Sequence, residues 1–238
     1  SPIRGGVDTG YNTFRGLSWL NTDVERCGFI SKKLFDAKSG YCFKDYVKDI
    51  MHTPMIFIVR NEKPVEILGK IDFEQFMQNG FEGYNATIDD FKLHANLCFP
   101  EVRLRNFIEI RNHDCANHGM QYSILAIYKG LLYNNDALSQ VEDLLSKFGY
   151  NDIMEFRYNV PRFALNAKMK KAFAKDVAND ILKIAQNSLR EEGKGEEKYL
   201  EPILELTPYG LSPADVILSH WNGDWNKDIN KLIKYLSN

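Results

Sequence analysis

Hydrophobic positions fall into two regimes along the chain. The first third holds short apolar runs between turn formers, while the second half repeats apolar residues at helical spacing. Met55-Ile56-Phe57-Ile58-Val59-Arg60, after Pro54, reads as a buried strand. Asn61-Glu62-Lys63-Pro64 then reads as a turn, with residues 65–68 as its returning hairpin partner. From 102 to 111 the side chains alternate. Val102, Leu104, Ile108 and Ile110 take one face, and Arg103, Arg105, Phe107, Glu109 and Arg111 the other. The apolar face is expected to meet the core and the other to present charge.

Helical spacing predicts helices over 41–51, 72–77, 122–133, 136–148, 164–189, 199–206 and 213–220, with another opened by Thr87 as N-cap and an acidic first turn. In the longest, Phe173, Val177, Ile181, Ile184, Ala185 and Leu189 form a core stripe that Arg190 to Gly195 ends with charge and glycine. Residues 1–29 carry Gly5, Gly6, Gly10, Gly16 and Gly28 and read as an ordered loop. The pattern is α+β: a loop and strand part over 1–120 and a helical part over 121–238, without internal repeat or hinge, helices packing on a sheet as one unit.

Composition narrows the classes. With 238 residues, 44% hydrophobic and 13% aromatic, the chain can build a sizeable core, and 16 Gly with 8 Pro is too little for a low-complexity chain. A net charge of −2 carries no nucleic-acid footprint and no polybasic membrane patch. No apolar run reaches the ~20 residues of a membrane span, and the start lacks the basic-then-apolar order of a signal peptide. The reading is a soluble, cytoplasmic protein. Its start without Met suggests a processed chain, a fragment or a trimmed sequence. Cys27, Cys42, Cys98 and Cys115 form no C-x-x-C pair and read as reduced thiols.

Candidate chemistry concentrates at the alternating segment. Glu109 and Arg111, two apart, point the same way, so a carboxylate for a divalent metal could sit beside a guanidinium for a phosphate or carboxylate. A solvated charged face or a cross-strand salt bridge would give the same spacing. His113, Asp114, Cys115 and His118 could ligate zinc or a transition metal, or form a polar loop. His52 and His94 read as structural. Arg4, Arg15 and Arg26 bracket the glycine-rich opening, where a loop could close on an anion. Walker-type, G-x-G-x-x-G and G-x-S-x-G signatures are absent.

The stretch Phe99-Pro100-Glu101-Val102-Arg103-Leu104-Arg105-Asn106-Phe107-Ile108-Glu109-Ile110-Arg111, followed by Asp114, resembles the F-P-E-V-R-L-K-x-Y-x-E-x-R-x-x-D segment of plant and proteobacterial glutamate-cysteine ligases. Ser1-Pro2, Gly10-Tyr11, Arg15, Trp19, Thr22-Asp23, Arg26, Gly28, Pro54 to Phe57, Gly130 to Tyr133 and Asn222-Gly223-Asp224-Trp225 extend the likeness over nearly the whole chain.

The resemblance implies a glutamine synthetase-like fold, an antiparallel sheet cradling the site, of which this chain would be an incomplete C-terminal part. It implies ATP- and magnesium-dependent joining of the glutamate γ-carboxyl to the cysteine amine through an acyl phosphate, the first step of glutathione synthesis. By motif position Glu109 would ligate metal and Arg111 would face the transferred phosphoryl group or the glutamate, as a catalytic and substrate-binding residue. Arg15 and Arg26 would bind substrate. The partners implied are glutamate, cysteine and ATP, with self-association or an upstream half completing the site, because family chains continue upstream of the serine-proline. E-M-R-G-A-D becomes Glu109-Ile110-Arg111-Asn112-His113-Asp114, R-S-H-I-W becomes Arg15-Gly16-Leu17-Ser18-Trp19, and the plant cysteine falls at Tyr122, so the plant regulatory disulfide is not expected. A non-catalytic fragment, a degenerate homologue, a regulatory subunit binding an anion or a partner chain, and a related ligase with another amine are the alternatives.

Overall fold

The computed structural model describes residues 2–36, 42–114 and 118–237, apart from the side chain of His118. Two compact units emerge, one of residues 19–112 and one combining 1–18 with 113–238. The opening segment therefore groups with the helical half, a division set differently from the 1–120 and 121–238 parts read along the chain.

The opening segment is not only loop. β1 (Ile3–Arg4) and β2 (Val7–Asp8) form a short hairpin, and α1 (Phe14–Leu20) follows. Buried Ile3 joins Ile217, Trp221, Trp225 and Leu232 in one apolar cluster, which ties the start of the chain to its closing helices.

Within residues 19–112, β3 (Cys27–Gly28) is followed by α2 (Lys32–Asp36) and α3 (Phe43–Met51). Tyr41, the expected helix start, lies outside the described residues. β4 (Phe57–Arg60) and β5 (Lys63–Glu66) form the expected antiparallel hairpin, but Lys63 and Pro64, read as turn, already pair with Arg60 and Val59, and the strand ends at Glu66 rather than Leu68. The hairpin's two-residue turn places Asn61 at φ 50° and Glu62 at φ 62°, the left-handed pair that matches strand twist. α4 (Phe73–Asn79) is capped by Asp72, and α5 (Ile88–Asn96) by Thr87, whose side chain accepts from the Asp90 amide as the acidic first turn predicts. Met55, Ile58, Ile67, Phe73 and Phe76 make the core of this unit, each at most 2% exposed. His94 is buried there, its Nε2 2.9 Å from the Ile50 carbonyl and its ring stacked on Phe73, so it is structural as read.

β6 (Phe99–Pro100) pairs in parallel with β3, and β7 (Val102–Leu104) turns into β8 (Ile108–Ile110). The alternating segment is thus a hairpin, and neither face is covered as expected: Leu104 and Ile110 are half-buried on the apolar face, Arg105 and Phe107 are exposed on the charged one, and three residues depart from the reading. Val102 and Ile108 are 41% and 68% exposed, whereas Arg103 on the charged face is 6% exposed. Arg103 tolerates burial because each of its three guanidinium nitrogens has an acceptor, as described below.

In the remainder, α6 (His118–Leu132), α7 (Asn135–Leu145), α8 (Tyr150–Phe163), β9 (Lys168–Met169), β10 (Ala172–Phe173), α9 (Ala174–Glu191), α10 (Glu201–Leu204), α11 (Pro213–Asn222) and α12 (Ile229–Leu236) follow in order. Of the stripe read over 164–189, Val177, Ala185 and Leu189 are buried, but Phe173 is 40% exposed and lies in β10, because the helix begins only at Ala174, after a 3₁₀ turn and the β9–β10 hairpin. α6 lies against α9 at Gly130, where a Cβ would come within 2.6 Å of the Ala185 carbonyl oxygen, so only glycine permits the approach.

The architecture is α+β. The expected sheet appears among the described residues as five separate two-stranded pairings, four antiparallel and one parallel.

Candidate active site

The motif segment is built outward from the β3–β6 pair. The Phe99 amide donates to the Arg26 carbonyl at 2.7 Å, and the Glu101 amide to the Gly28 carbonyl at 2.8 Å, fixing the entry to the hairpin. The Arg111 amide then donates to the Glu101 carbonyl at 2.8 Å, closing it. Tyr46 on α3 accepts from the Leu104 amide at 3.2 Å, pinning the middle.

Register sets Arg103 directly opposite Glu109. Glu109 Oε2 accepts from Arg103 Nε at 2.8 Å and lies 2.6 Å from its Nη2, while Oε1 accepts from Arg111 Nη1 at 2.9 Å. Arg103 Nη1 donates to the carbonyls of Asn96 and Cys98, both at 3.1 Å. Both guanidiniums lie near the face of Phe99, at 5.5 Å for Arg103 and 5.4 Å for Arg111, and Trp19 brackets Arg111 at 5.8 Å. Hydrogen bonds from Arg103, then its charge and the Arg111 bond, hold the Glu109 carboxyl below the usual range against the opposing pull of desolvation.

One carboxylate between two guanidiniums leaves the trio with net positive charge. Arg103 is nearly enclosed, at 7% side-chain exposure, and Arg111 reaches outward at 24%, so the surplus is presented through Arg111. That arrangement suits a carboxylate or phosphoryl oxygen. For Glu109, the expected magnesium ligand, the surroundings in this chain are basic. Both carboxylate oxygens already accept from arginine, and among the described residues no group of three His, Cys, Asp or Glu gathers to hold a metal.

The remaining candidates separate. Arg26, in the same unit, donates from Nε to Asp23 at 2.8 Å and from Nη1 to the Pro54 carbonyl at 2.6 Å, a strut beside β3. It also lines a cavity of about 370 Å³ with Cys27, Tyr46, Cys98 and Val102. Arg15 belongs to the other unit, where it faces the motif's Asp114 at 3.9 Å. His113 lies 6.0 Å from the Tyr128 ring, while Cys115 and the His118 side chain fall outside the described residues. Arg103 and Phe99 are the members of the site that spacing alone passed over. A hairpin reading of the alternation would have found Arg103, since it makes residues 103 and 109 cross-strand neighbours.

The model of glutamate-cysteine ligase family 2 matches residues 1–234. The chain belongs to this family. It is similar to the chloroplastic glutamate-cysteine ligase of Brassica juncea, 31% identical over 239 residues that cover 99% of this chain and 46% of that protein. The enzymes of the same printed name from Nicotiana tabacum and Arabidopsis thaliana are each 29% identical, over 99% of this chain and 45% of theirs. The chain spans about half the length of the curated relatives it matches. Within this glutamate-cysteine ligase family member, the Arg103–Glu109–Arg111 trio is the most strongly built charged cluster of the F-P-E-V-R-L segment.

Proposed function

We propose that this chain serves the ATP-dependent joining of the glutamate γ-carboxyl to the cysteine amine, the first step of glutathione synthesis, on a glutamine synthetase-like fold. The observation carrying the reading is the net-positive trio, in which Arg111 is the more exposed of the two arginines, seated in the family's long motif. ATP supplies the phosphoryl group that turns the γ-carboxylate into an acyl phosphate, and magnesium would accompany its phosphates. Arg111 binds the anionic oxygens, its guanidinium oriented by Glu109 and the Phe99 and Trp19 rings, so that negative charge developing during transfer meets a donor already in place. Arg15 is assigned to a substrate carboxylate, and Arg26 to the wall of the adjoining cavity. No step is assigned to a metal on Glu109.

The test is ADP release with ATP, magnesium and glutamate, with and without cysteine. Cysteine-dependent release that Arg111→Ala abolishes is the expected result, and Arg15→Ala should raise the glutamate requirement about tenfold, the equivalent of one charge-assisted hydrogen bond. Release that ignores Arg111, or ADP formed without glutamate, overturns the assignment. A second reading, a chain active only with a partner polypeptide, is favoured by the apolar side chains of Val102 and Ile108, exposed on β7–β8. A folded chain that releases no ADP alone supports this second reading.

A further inference from the structure

Arg103 takes no part in the role just assigned to Arg111, yet it is the most enclosed charged side chain of the trio. Burying a guanidinium is costly unless every donor direction is answered. Here the answer is specific. Nη1 is spent on two backbone carbonyls, those of Asn96 and Cys98 at the junction between α5 and β6, while Nε and Nη2 converge on a single oxygen of Glu109. The carboxylate is thereby held from one side, and its second oxygen stays directed at Arg111 Nη1. A guanidinium is suited to this because its planar fork engages separate acceptors in one fixed geometry, where an ammonium offers a point charge.

We infer that Arg103 is a positioning residue, a buried anchor that fixes Glu109 so that Glu109 holds the Arg111 guanidinium toward an anionic ligand. The chain of contact runs from the Asn96 and Cys98 carbonyls through Arg103 and Glu109 to Arg111, with Phe99 packed beside both arginines. Glu109 is then an orienting carboxylate. The identity of the anion, a substrate carboxylate or the transferred phosphoryl group, rests on the proposed ligase reading. The anchor does not.

Arginine side-chain NMR of the full chain tests the inference, with the Arg111 guanidinium signal assigned from its disappearance in Arg111→Lys. Arg103→Lys keeps a positive charge but lacks the fork. Its Arg111 signal should shift and exchange with water about tenfold faster, and the perturbation of that signal by added glutamate or inorganic phosphate should need about tenfold more ligand. Glu109→Gln, with Arg103 intact, should release Arg111 in the same way. In the unsubstituted protein both guanidinium signals should move together as acid protonates Glu109, a measurement that holds even where Arg103→Lys fails to fold. An Arg111 signal unchanged in folded Arg103→Lys or in Glu109→Gln, or separate acid midpoints for the two arginines, overturns the anchor. If the signals respond as expected but neither glutamate nor phosphate perturbs Arg111 in the unsubstituted chain, the anchor stands and the ligase reading fails.

Discussion

Two hairpins in the same unit, β4–β5 and β7–β8, share alternating or near-continuous apolar residues and a cross-linked arginine, yet they are used in opposite ways. In β4–β5 the inward residue Ile58 is fully buried under Phe73 and Phe76. Arg60 reaches across to Asp90, making a fork with Nη1–Oδ1 at 2.6 Å and Nη2–Oδ2 at 2.7 Å. Asp90 is 4% exposed and also accepts from the Thr87 amide and hydroxyl, so this arginine is a structural tie between strand and helix cap. In β7–β8 the apolar residues Val102 and Ile108 are exposed, while Arg103 of the charged face is turned inward. One arginine is buried to steady a carboxylate, which steadies a second arginine. The difference teaches that an alternating strand defines two faces but not which of them is covered. A well-satisfied guanidinium can take the inner place.

The largest expected effect separates the two hairpins directly. Ile58→Ala should cost about 3 kcal/mol through lost burial and a cavity, while Ile108→Ala should stay within about 0.5 kcal/mol. Urea denaturation of both variants measures this, and equal losses would mean that the β7–β8 face is covered in solution. Next, Asp90→Ala strands Arg60 and removes the α5 cap contacts, for an expected loss of about 3 kcal/mol. Replacing Arg60 and Asp90 together by apolar residues of similar volume should recover part of that loss, and a double variant no better than either single one would break the account of the tie.

Acid should sharpen the comparison. Burial alone would raise the Asp90 pKa, but the Arg60 fork and the Thr87 bonds outweigh it and hold the carboxyl below its ordinary value. Glu109 is likewise lowered, chiefly by Arg103. For carboxyls depressed in the folded state, the stabilisation is fully present above the unfolded pKa of about 4 and is lost as pH falls through the lower folded value. Melting temperature should therefore fall below about pH 4, and Asp90→Asn should flatten that fall more than Glu109→Gln, since Asp90 is the more enclosed group. The smallest effect concerns the turn. Glu62 sits at φ 62°, so Glu62→Gly should raise stability by about 1 kcal/mol, visible as a higher urea midpoint with unchanged slope.

Much of the fold could be read along the chain where one physical signal acted alone. The Asn61–Glu62 turn, the Thr87 cap and the apolar stripe of α9 each depend on neighbours within a few residues; the cap appears where expected, the turn is two residues shorter than read, and the stripe holds without Phe173. α8 escaped the helical reading because Pro161 interrupts its last turn and its apolar residues form no clean stripe. Its carbonyl at Pro161 instead accepts from the Thr13 amide, a contact 148 positions apart in the chain. α12 escaped because it is short, and its fold depends on Leu232 joining Trp221 and Trp225. In the candidate site, Glu109 and Arg111 stood out by spacing, but Arg103 required the hairpin register to be known.

The order of residues by itself determined the strand and helix periodicities, the caps and turns, and the family motif that carries Arg103, Glu109 and Arg111. Those features are local: a side chain's direction and an N-cap's bond are settled within a turn or a pleat. Tertiary structure alone decided that Arg103 is inside and Val102 outside, that the opening strand packs on the closing helices, and that Glu109 spends both oxygens on arginine. Burial of a charge is decided by the partners that surround it, and for Arg103 these are the carbonyls of Asn96 and Cys98, the carboxylate of Glu109 and the ring of Phe99, which only the fold assembles around one guanidinium.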